Sequence, residues 1–445
     1  METANVASLA ARRPGVPRVA VVGAGTSGLA AAAALLREGL EPVVLEGRGQ
    51  PGGIWSQLRH RAMYEGLVQN TAPHLTVFEE LSWQPPAHGT HYSADEYRAY
   101  CSAYIRAQGL APYVLTDATV AGVRPLDGGG YAVQVRDSDD AQQQTSARFD
   151  HVVYAGGLYH TPSRPAVPGA ASFPGPMPHS SELDVAALAG RRVLVVGLGN
   201  TALDVAAALL PVTAELALSG RGATWIVPRL LDGQPVDVYV QQLRRSHGQH
   251  YRHHLWQACR RHGAVAFDVA ADDEELDFTR QRITVNDAML APLAEGRVPL
   301  YATVAAIEGN MVRFADGDSA RFDAIVFCTG YQSTPLVEGD VVQEHLLGNV
   351  LHPRHDGLWF VGAPAVWGGS PPIAQKQGQL AAHAIARAWS RADLAAAVGA
   401  HGGYEKATVV LPFGFEVVEF VGYARMVDDI RATGAATRMT AMRHA

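Results

Sequence analysis

Apolar positions near the start of the chain fall into two short, uninterrupted runs, Val19-Ala20-Val21-Val22 and Pro42-Val43-Val44-Leu45, with an alanine-rich stretch between them. Neither run alternates with polar residues, as a strand with one wet face would. Each therefore predicts a strand buried on both faces, the habit of parallel sheets. The stretch from Leu29 to Glu38 is rich in helix formers and ends at Gly39, a residue suited to a helix C-cap. The same series recurs much later. Val193-Leu194-Val195-Val196 predicts another buried strand, Leu203 to Leu210 a helix closed by Pro211, and about Glu215 to Leu218 the next strand. Strand, helix and strand, twice over, predict an α/β chain built on two Rossmann-like units.

The turns joining these elements carry the chemistry. Gly23-Ala24-Gly25-Thr26-Ser27-Gly28 has the G-x-G-x-x-G spacing. Gly23 permits the tight turn, Gly25 lets backbone approach a pyrophosphate, and Gly28 lets helix and strand pack closely. The helix N-terminus offers unpaired N–H groups and a positive dipole end to phosphate. Glu46 ends the second strand, where a carboxylate can accept from both hydroxyls of a ribose. In the second copy the turn reads Gly197-Leu198-Gly199-Asn200-Thr201-Ala202, with alanine at the third glycine, a change the pattern tolerates. The strand after it ends in Ser219-Gly220-Arg221 rather than an acid. A 2′-phosphate meets no carboxylate there, and Arg221 can pair with it through its planar fork. The second unit is therefore expected to take NADPH on Gly197, Gly199, Asn200, Thr201 and Arg221.

Two such units at this separation predict a discontinuous first domain with the second inserted into it. A strand-and-turn at Phe322 to Tyr331 is the closing signal, and its earlier counterpart is Val152 to Gly157. Pro162, Pro165 and Pro168 follow that counterpart and stiffen a connector. The linker is expected within 162–178 and the return within 292–298. The first domain then comprises residues 1–172 and 296–445, and the inserted one residues 173–295. Asp137 to Thr145 reads as a hairpin tip, and Tyr97 to Gln108 as a helix with Tyr100, Cys101 and Tyr104 in a core stripe. Phe420 to Ile430 reads as a helix packing back on the first domain.

Composition narrows the setting. A net charge of -7 over 445 residues argues against a nucleic-acid partner, which is usually met by a basic face. Cys101, Cys259 and Cys328 lie far apart, without metal or redox spacing, so a reducing, cytoplasmic setting is expected. No run approaches the ~18 continuous apolar residues of a membrane helix. His60, His74, His88 and His91 are spaced too irregularly for a metal motif.

Five further motifs fall around the two glycine turns. They are Gly52-Gly53-Ile54-Trp55, Tyr64-Glu65-Gly66-Leu67-Val68-Gln69-Asn70-Thr71, Phe173-Pro174-Gly175-Pro176-Met177-Pro178-His179, Trp225-Ile226-Val227-Pro228-Arg229 and Cys328-Thr329-Gly330-Tyr331. In this order they resemble the motifs of the flavin-containing monooxygenases, the class B flavoprotein monooxygenases, over nearly the whole chain. The resemblance implies FAD in the first unit, on Gly23, Gly25, Gly28, Glu46, Gly53 and Trp55. It adds Asn70, Thr329, Gly330 and Gln375 to the cofactor contacts. His179 matches the histidine of the F-x-G-x-x-x-H fingerprint, which helps couple the two domains. Four places later the chain has Leu183, where the family usually has an aromatic or similar residue.

The resemblance also implies a reaction. NADPH delivers hydride to FAD, reduced flavin captures oxygen as a C4a-(hydro)peroxide, and one oxygen atom passes to a small organic substrate. Asn70 is assigned as the catalytic polar group nearest the flavin C4a, because an amide donates and accepts without a pH-dependent charge. N- or S-oxygenation is expected first, with Baeyer–Villiger oxidation of a ketone as the alternative. The substrate is expected beside the flavin, near the loop after Tyr64 and Trp367 to Pro371. The expected partners are a small molecule and O2, with no nucleic acid or membrane; a homodimer is left open. A disulfide reductase would need a redox cysteine pair, and the sequence has none. A redox-silent flavoprotein on the same fold is distinguished by cofactor turnover.

Overall fold

A computed structural model describes residues 15–56, 67–137, 144–159, 161–269, 275–276, 282–332, 346–362, 370–401, 406–407, 417–418 and 420–443. The chain divides into two compact units. One comprises Met1–Leu58, Pro73–Leu158 and Ser333–Ala445; the other comprises Arg59–Ala72 and Tyr159–Gln332.

The first unit opens with β1 (Arg18–Val22), α1 (Thr26–Arg37) and β2 (Glu41–Leu45). Val19, Ala20 and Val21 are fully buried, as their unbroken apolar run demands. α1 begins at Thr26 rather than Leu29, because the glycine turn itself supplies its first turn. α2 (Ala94–Ala107) follows, capped by Ser93 and Glu96 in a reciprocal capping box, with Tyr97, Tyr100, Cys101 and Tyr104 buried along one side. β3 (Val114–Leu115) precedes an antiparallel meander of β4 (Ala118–Pro125), β5 (Tyr131–Asp137) and β6 (Gln144–Phe149). The expected hairpin thus joins β5 to β6; residues 138–143 at its tip lie outside the described residues. β7 (His151–Tyr154) then pairs in parallel with β1.

The second unit contains β8 (Arg192–Val196), α3 (Asn200–Leu209), β9 (Glu215–Ser219), β10 (Thr224–Val227), α4 (Val236–His247), β11 (Arg282–Val285), β12 (Leu300–Tyr301) and β13 (Ala324–Phe327). Its parallel sheet runs β12-β9-β8-β13. The strand expected to close the first domain is therefore a strand of the second unit. The reason is pairing: Ala324 to Phe327 lie in register with Val193 to Val196. The unit ends at Gln332, not within 292–298. Next to β13 runs the proline-rich connector, whose Pro176 and Pro178 carbonyls accept from Ile325 (3.1 Å) and Phe327 (2.9 Å). Gly175 is required on this path, since a Cβ there would lie 2.1 Å from the Asp323 carbonyl oxygen.

The chain then completes the first unit. β14 (Leu358–Phe360) pairs with β7, giving the parallel order β14-β7-β1-β2-β3. α5 (Ser370–Ala386) lies against α1 so closely that a Cβ on Gly378 would sit 3.0 Å from the Ala31 Cα. That approach explains the alanine-rich sequence of α1. α6 (Phe420–Arg443) buries Tyr423, Met426, Val427 and Ile430. Among the described residues, no helix is long and apolar enough to cross a membrane.

Candidate functional site

In the first unit, the glycine turn and the Gly52–Trp55 turn meet. Gly52 N–H donates to the Ala24 carbonyl (2.8 Å), and a Cβ on Gly53 would lie 2.8 Å from the Gly25 Cα. Gly53 also has φ +60°, a conformation that favours glycine. Gly28 closes the turn from the helix side, since its Cβ would fall 1.8 Å from the Gly23 carbonyl oxygen. α1 starts with Gly25 as N-cap, with no side-chain cap and no acid in its first turn. Its first N–H groups are left for a ligand, with no carboxylate in its own first turn to compete for them.

Glu46 stands at the end of β2, 7% exposed, and accepts from the N–H groups of Ala24 (2.8 Å) and Arg48 (3.1 Å). Burial raises its carboxyl above the usual carboxylate range, while those two donors pull the other way. Trp55 lies edge-on to Tyr97 at 5.0 Å, and its carbonyl accepts from Arg98 Nε at 2.8 Å. This cradle of backbone donors with a carboxylate beside it fits the diphosphate and ribose of a dinucleotide.

Gln375 belongs to a different element, α5. It is buried on α5, its Oε1 accepts from Glu79 N–H (3.1 Å), and its Nε2 finds no partner among the described residues. Its neighbour Gln377, not singled out from the sequence, bridges two backbone groups. Gln377 accepts from Gly362 N–H at 2.8 Å and donates to the Asn349 carbonyl at 2.9 Å. A Cβ on Gly362 would lie 2.2 Å from Ser27 Oγ, so Gln377 holds a turn against the glycine loop. Two buried glutamines two residues apart look alike in sequence, and only the partners separate them.

In the second unit, α3 starts from Gly199 as N-cap, again without a side-chain cap or an acid in the first turn. A Cβ on Gly199 would meet open space, while one on Gly197 would lie 2.5 Å from the Cys328 carbonyl oxygen. Thr201 is half-buried in the first turn of α3, and Ala202 is fully buried. The Asn200 side chain accepts from Val285 N–H (3.0 Å), tying the turn to β11. Arg221 is exposed just past β9 and makes no ion pair among the described residues. This donor set fits a pyrophosphate with a 2′-phosphate nearby.

His179 is fully buried. Its Nδ1 accepts from Ser181 N–H (3.2 Å), which leaves Nε2 as the N–H donor to the Gly330 carbonyl (3.0 Å). Burial lowers its pKa below the ordinary histidine value. Thr329 donates through Oγ1 to the Ser163 carbonyl, and Ser163 N–H donates to the Gly330 carbonyl (2.9 Å), so the late turn and the connector are stitched together. Asn70 is half-buried, and its Oδ1 accepts from Arg229 Nε (3.1 Å) and Nη2 (2.8 Å). In the sequence Arg229 is marked only as the end of the Trp225 motif, with no link to Asn70, and Asp237, which accepts from Ala72 N–H at 2.8 Å, carries no signal at all. Tyr64 and Trp367 to Gly369, expected near the substrate, lie outside the described residues.

A cleft of about 590 Å³ in the second unit is lined by Arg192, Glu215, Arg297, Tyr301 and Arg321. It opens at the N-terminal ends of β8 and β9. Ligands of open α/β sheets bind at the carboxyl ends, so this cleft is not the dinucleotide site.

Residues 16–351 match the family model described as flavin-binding monooxygenase-like. The chain belongs to that family, whose cofactors are FAD and NADPH. A monooxygenase named aurF from Gibberella zeae is 29% identical over 330 residues, which are 71% of this chain and 62% of that protein. The chain thus spans less than two thirds of that relative. Among solved structures, an open form of cyclohexanone monooxygenase superposes with a TM-score of 0.65 at 18% identity, covering 95% of this chain and 98% of that one. The S-allyl-L-cysteine S-oxygenase of Allium sativum does so with a TM-score of 0.60 at 18% identity, covering 96% and 83%. At these identities the likeness shows the fold, with its two dinucleotide-binding domains.

Proposed function

We propose that this chain is an NADPH- and O2-dependent flavoprotein monooxygenase that adds one oxygen atom to a small organic substrate, by N- or S-oxygenation. The observation that carries the reading is the pair of uncapped helix N-termini, each beside a glycine turn, in a chain of this family. FAD, once reduced by NADPH, supplies the oxygen activation that side chains lack. The protein's part is to bind and to orient. The N-terminus of α1 and Glu46 would hold the FAD diphosphate and ribose, with Gly53 and Trp55 contributing the adjoining turn. The N-terminus of α3 holds the NADPH pyrophosphate, and Arg221 pairs with its 2′-phosphate. Asn70 would supply amide N–H donors to the reacting oxygen. The buried, unpaired thiols Cys101 and Cys259 suit a reducing cytoplasm.

The test begins without oxygen and ends with oxygen admitted. Purified protein carrying FAD should lose its yellow colour on adding NADPH and much more slowly on adding NADH. It should then consume oxygen faster when amines or thioethers are present. A flavin that NADPH leaves oxidised contradicts the reading and indicates a redox-silent protein.

A further inference from the structure

We infer that Arg229 is a positioning residue that turns the Asn70 side chain into a one-way donor. The inference rests on the proposed role of Asn70. Arginine carries only donors, so the amide atom it meets must be the oxygen. Two N–H groups of one guanidinium edge converge on that oxygen, at 3.1 and 2.8 Å. The Nδ2 group of Asn70 must therefore point away from Arg229, and among the described residues no hydrogen bond is given to it.

The holder is itself held. Arg229 N–H donates to Asp287 Oδ1 at 2.7 Å, and its carbonyl accepts from Val236 N–H at 2.9 Å. Two residues beyond Asn70, Ala72 N–H donates to buried Asp237 in the first turn of α4. The asparagine segment is thus pinned at one end by a backbone N–H held on a carboxylate and at its functional side chain by a cation.

The cation has a chemical consequence as well as a steric one. A positive charge on the amide oxygen draws electron density from the nitrogen and strengthens its N–H donors. Donors fixed in this way stabilise negative charge developing on reduced oxygen without reorganising. An asparagine free to flip would present its oxygen half the time, and an acceptor there repels that charge.

The test compares Asn70→Ala, Asn70→Asp, Arg229→Lys, Arg229→Ala and the Asn70→Ala/Arg229→Ala pair. Hydrogen peroxide released per NADPH, FAD content and KM for NADPH are measured for each. Asn70→Asp keeps the contact with Arg229, as an ion pair, but loses the donors. It should uncouple as strongly as Asn70→Ala, whereas a role in merely holding Arg229 would leave it coupled. Arg229→Ala should raise peroxide release several-fold with FAD content retained and should add nothing to Asn70→Ala. Arg229→Lys should fall between. A readout independent of turnover is the Asn70 side-chain amide resonance, identified by its loss in Asn70→Ala, which should shift upfield in nitrogen in Arg229→Lys. If Asn70→Ala stays coupled, the role of Asn70 fails and takes this inference with it. If Asn70→Ala uncouples while Arg229→Ala does not, or the two effects add, Asn70 stands and the inference about Arg229 is overturned.

Discussion

The Nε2–H of His179 reaches the carbonyl of Gly330, 3.0 Å away and 151 residues further along the chain. Ser181 N–H fixes the tautomer that makes this bond possible. The fingerprint histidine thus fastens the connector to the turn after β13 inside the second unit. Replacing it by alanine removes one of the two donors to the Gly330 carbonyl, the other being Ser163 N–H at 2.9 Å, strands the Ser181 N–H and leaves a hole. His179→Ala should cost about 2–4 kcal/mol in urea unfolding. A midpoint unchanged from the parent would show that the clasp contributes nothing.

Gly53 and Gly39 both have positive φ, +60° and +80°, but only Gly53 has a neighbour in the way. Gly39→Ala should lower stability by about 1 kcal/mol and leave FAD affinity unaltered. Gly53→Ala should also push the Trp55 turn off the glycine loop and weaken FAD binding by roughly tenfold or more. Flavin titration of the two apoproteins makes the comparison.

Arg221→Ala should raise the KM for NADPH by about 10–100-fold, the range set by losing one or two charge-assisted hydrogen bonds. The KM for NADH should hardly move. Equal effects on both coenzymes would mean that Arg221 does not read the 2′-phosphate.

Most of the fold was legible because its signals are local. Unbroken apolar runs, glycine spacing and helix formers marked β1, α1, β2, β8 and α3 to within a few residues. What escaped was set by partners distant in sequence. Strand β13 was recognised as a strand, but its apolar run fits either sheet, and only its register with β8 assigns it. α5 was not delimited because Gln375, Lys376, Gln377, Gln379 and His383 break the apolar pattern of a helix that is nonetheless buried. Each is tied to a remote group, as Lys376 is to Glu79 and Asp428. Of the site residues, those fixed by backbone geometry could be placed from their turns. Arg229 could not, because nothing in its sequence neighbourhood points to Asn70.

One of those buried groups gives the fold a sensitivity to acid. His383 is 1% exposed and its pKa is pushed down to about 4, chiefly by burial and next by the charge of Arg387, against the pull of Glu38. Its Nε2 has no partner among the described residues, so protonation would leave a bare buried N–H. Between the unfolded value near 6.5 and about 4, the unfolded chain binds more protons than the folded one. Stability is therefore full above about pH 6.5 and falls as the pH drops through that window, by a few kcal/mol at most. His383→Gln should flatten the decline in thermal midpoint between pH 7 and pH 5, roughly the upper part of that window. A decline of undiminished slope would assign the acid sensitivity to other groups.

The central claim is that the chain passes one atom of O2 to an organic substrate at the expense of NADPH. The direct measurement is turnover under ¹⁸O2 with a panel of amines and thioethers, following the label by mass spectrometry alongside NADPH loss. One labelled oxygen in a product, formed in step with NADPH consumed and little hydrogen peroxide released, is the predicted result. Label found only in hydrogen peroxide for every compound, with NADPH consumed throughout, would contradict the claim and make the protein an NADPH oxidase.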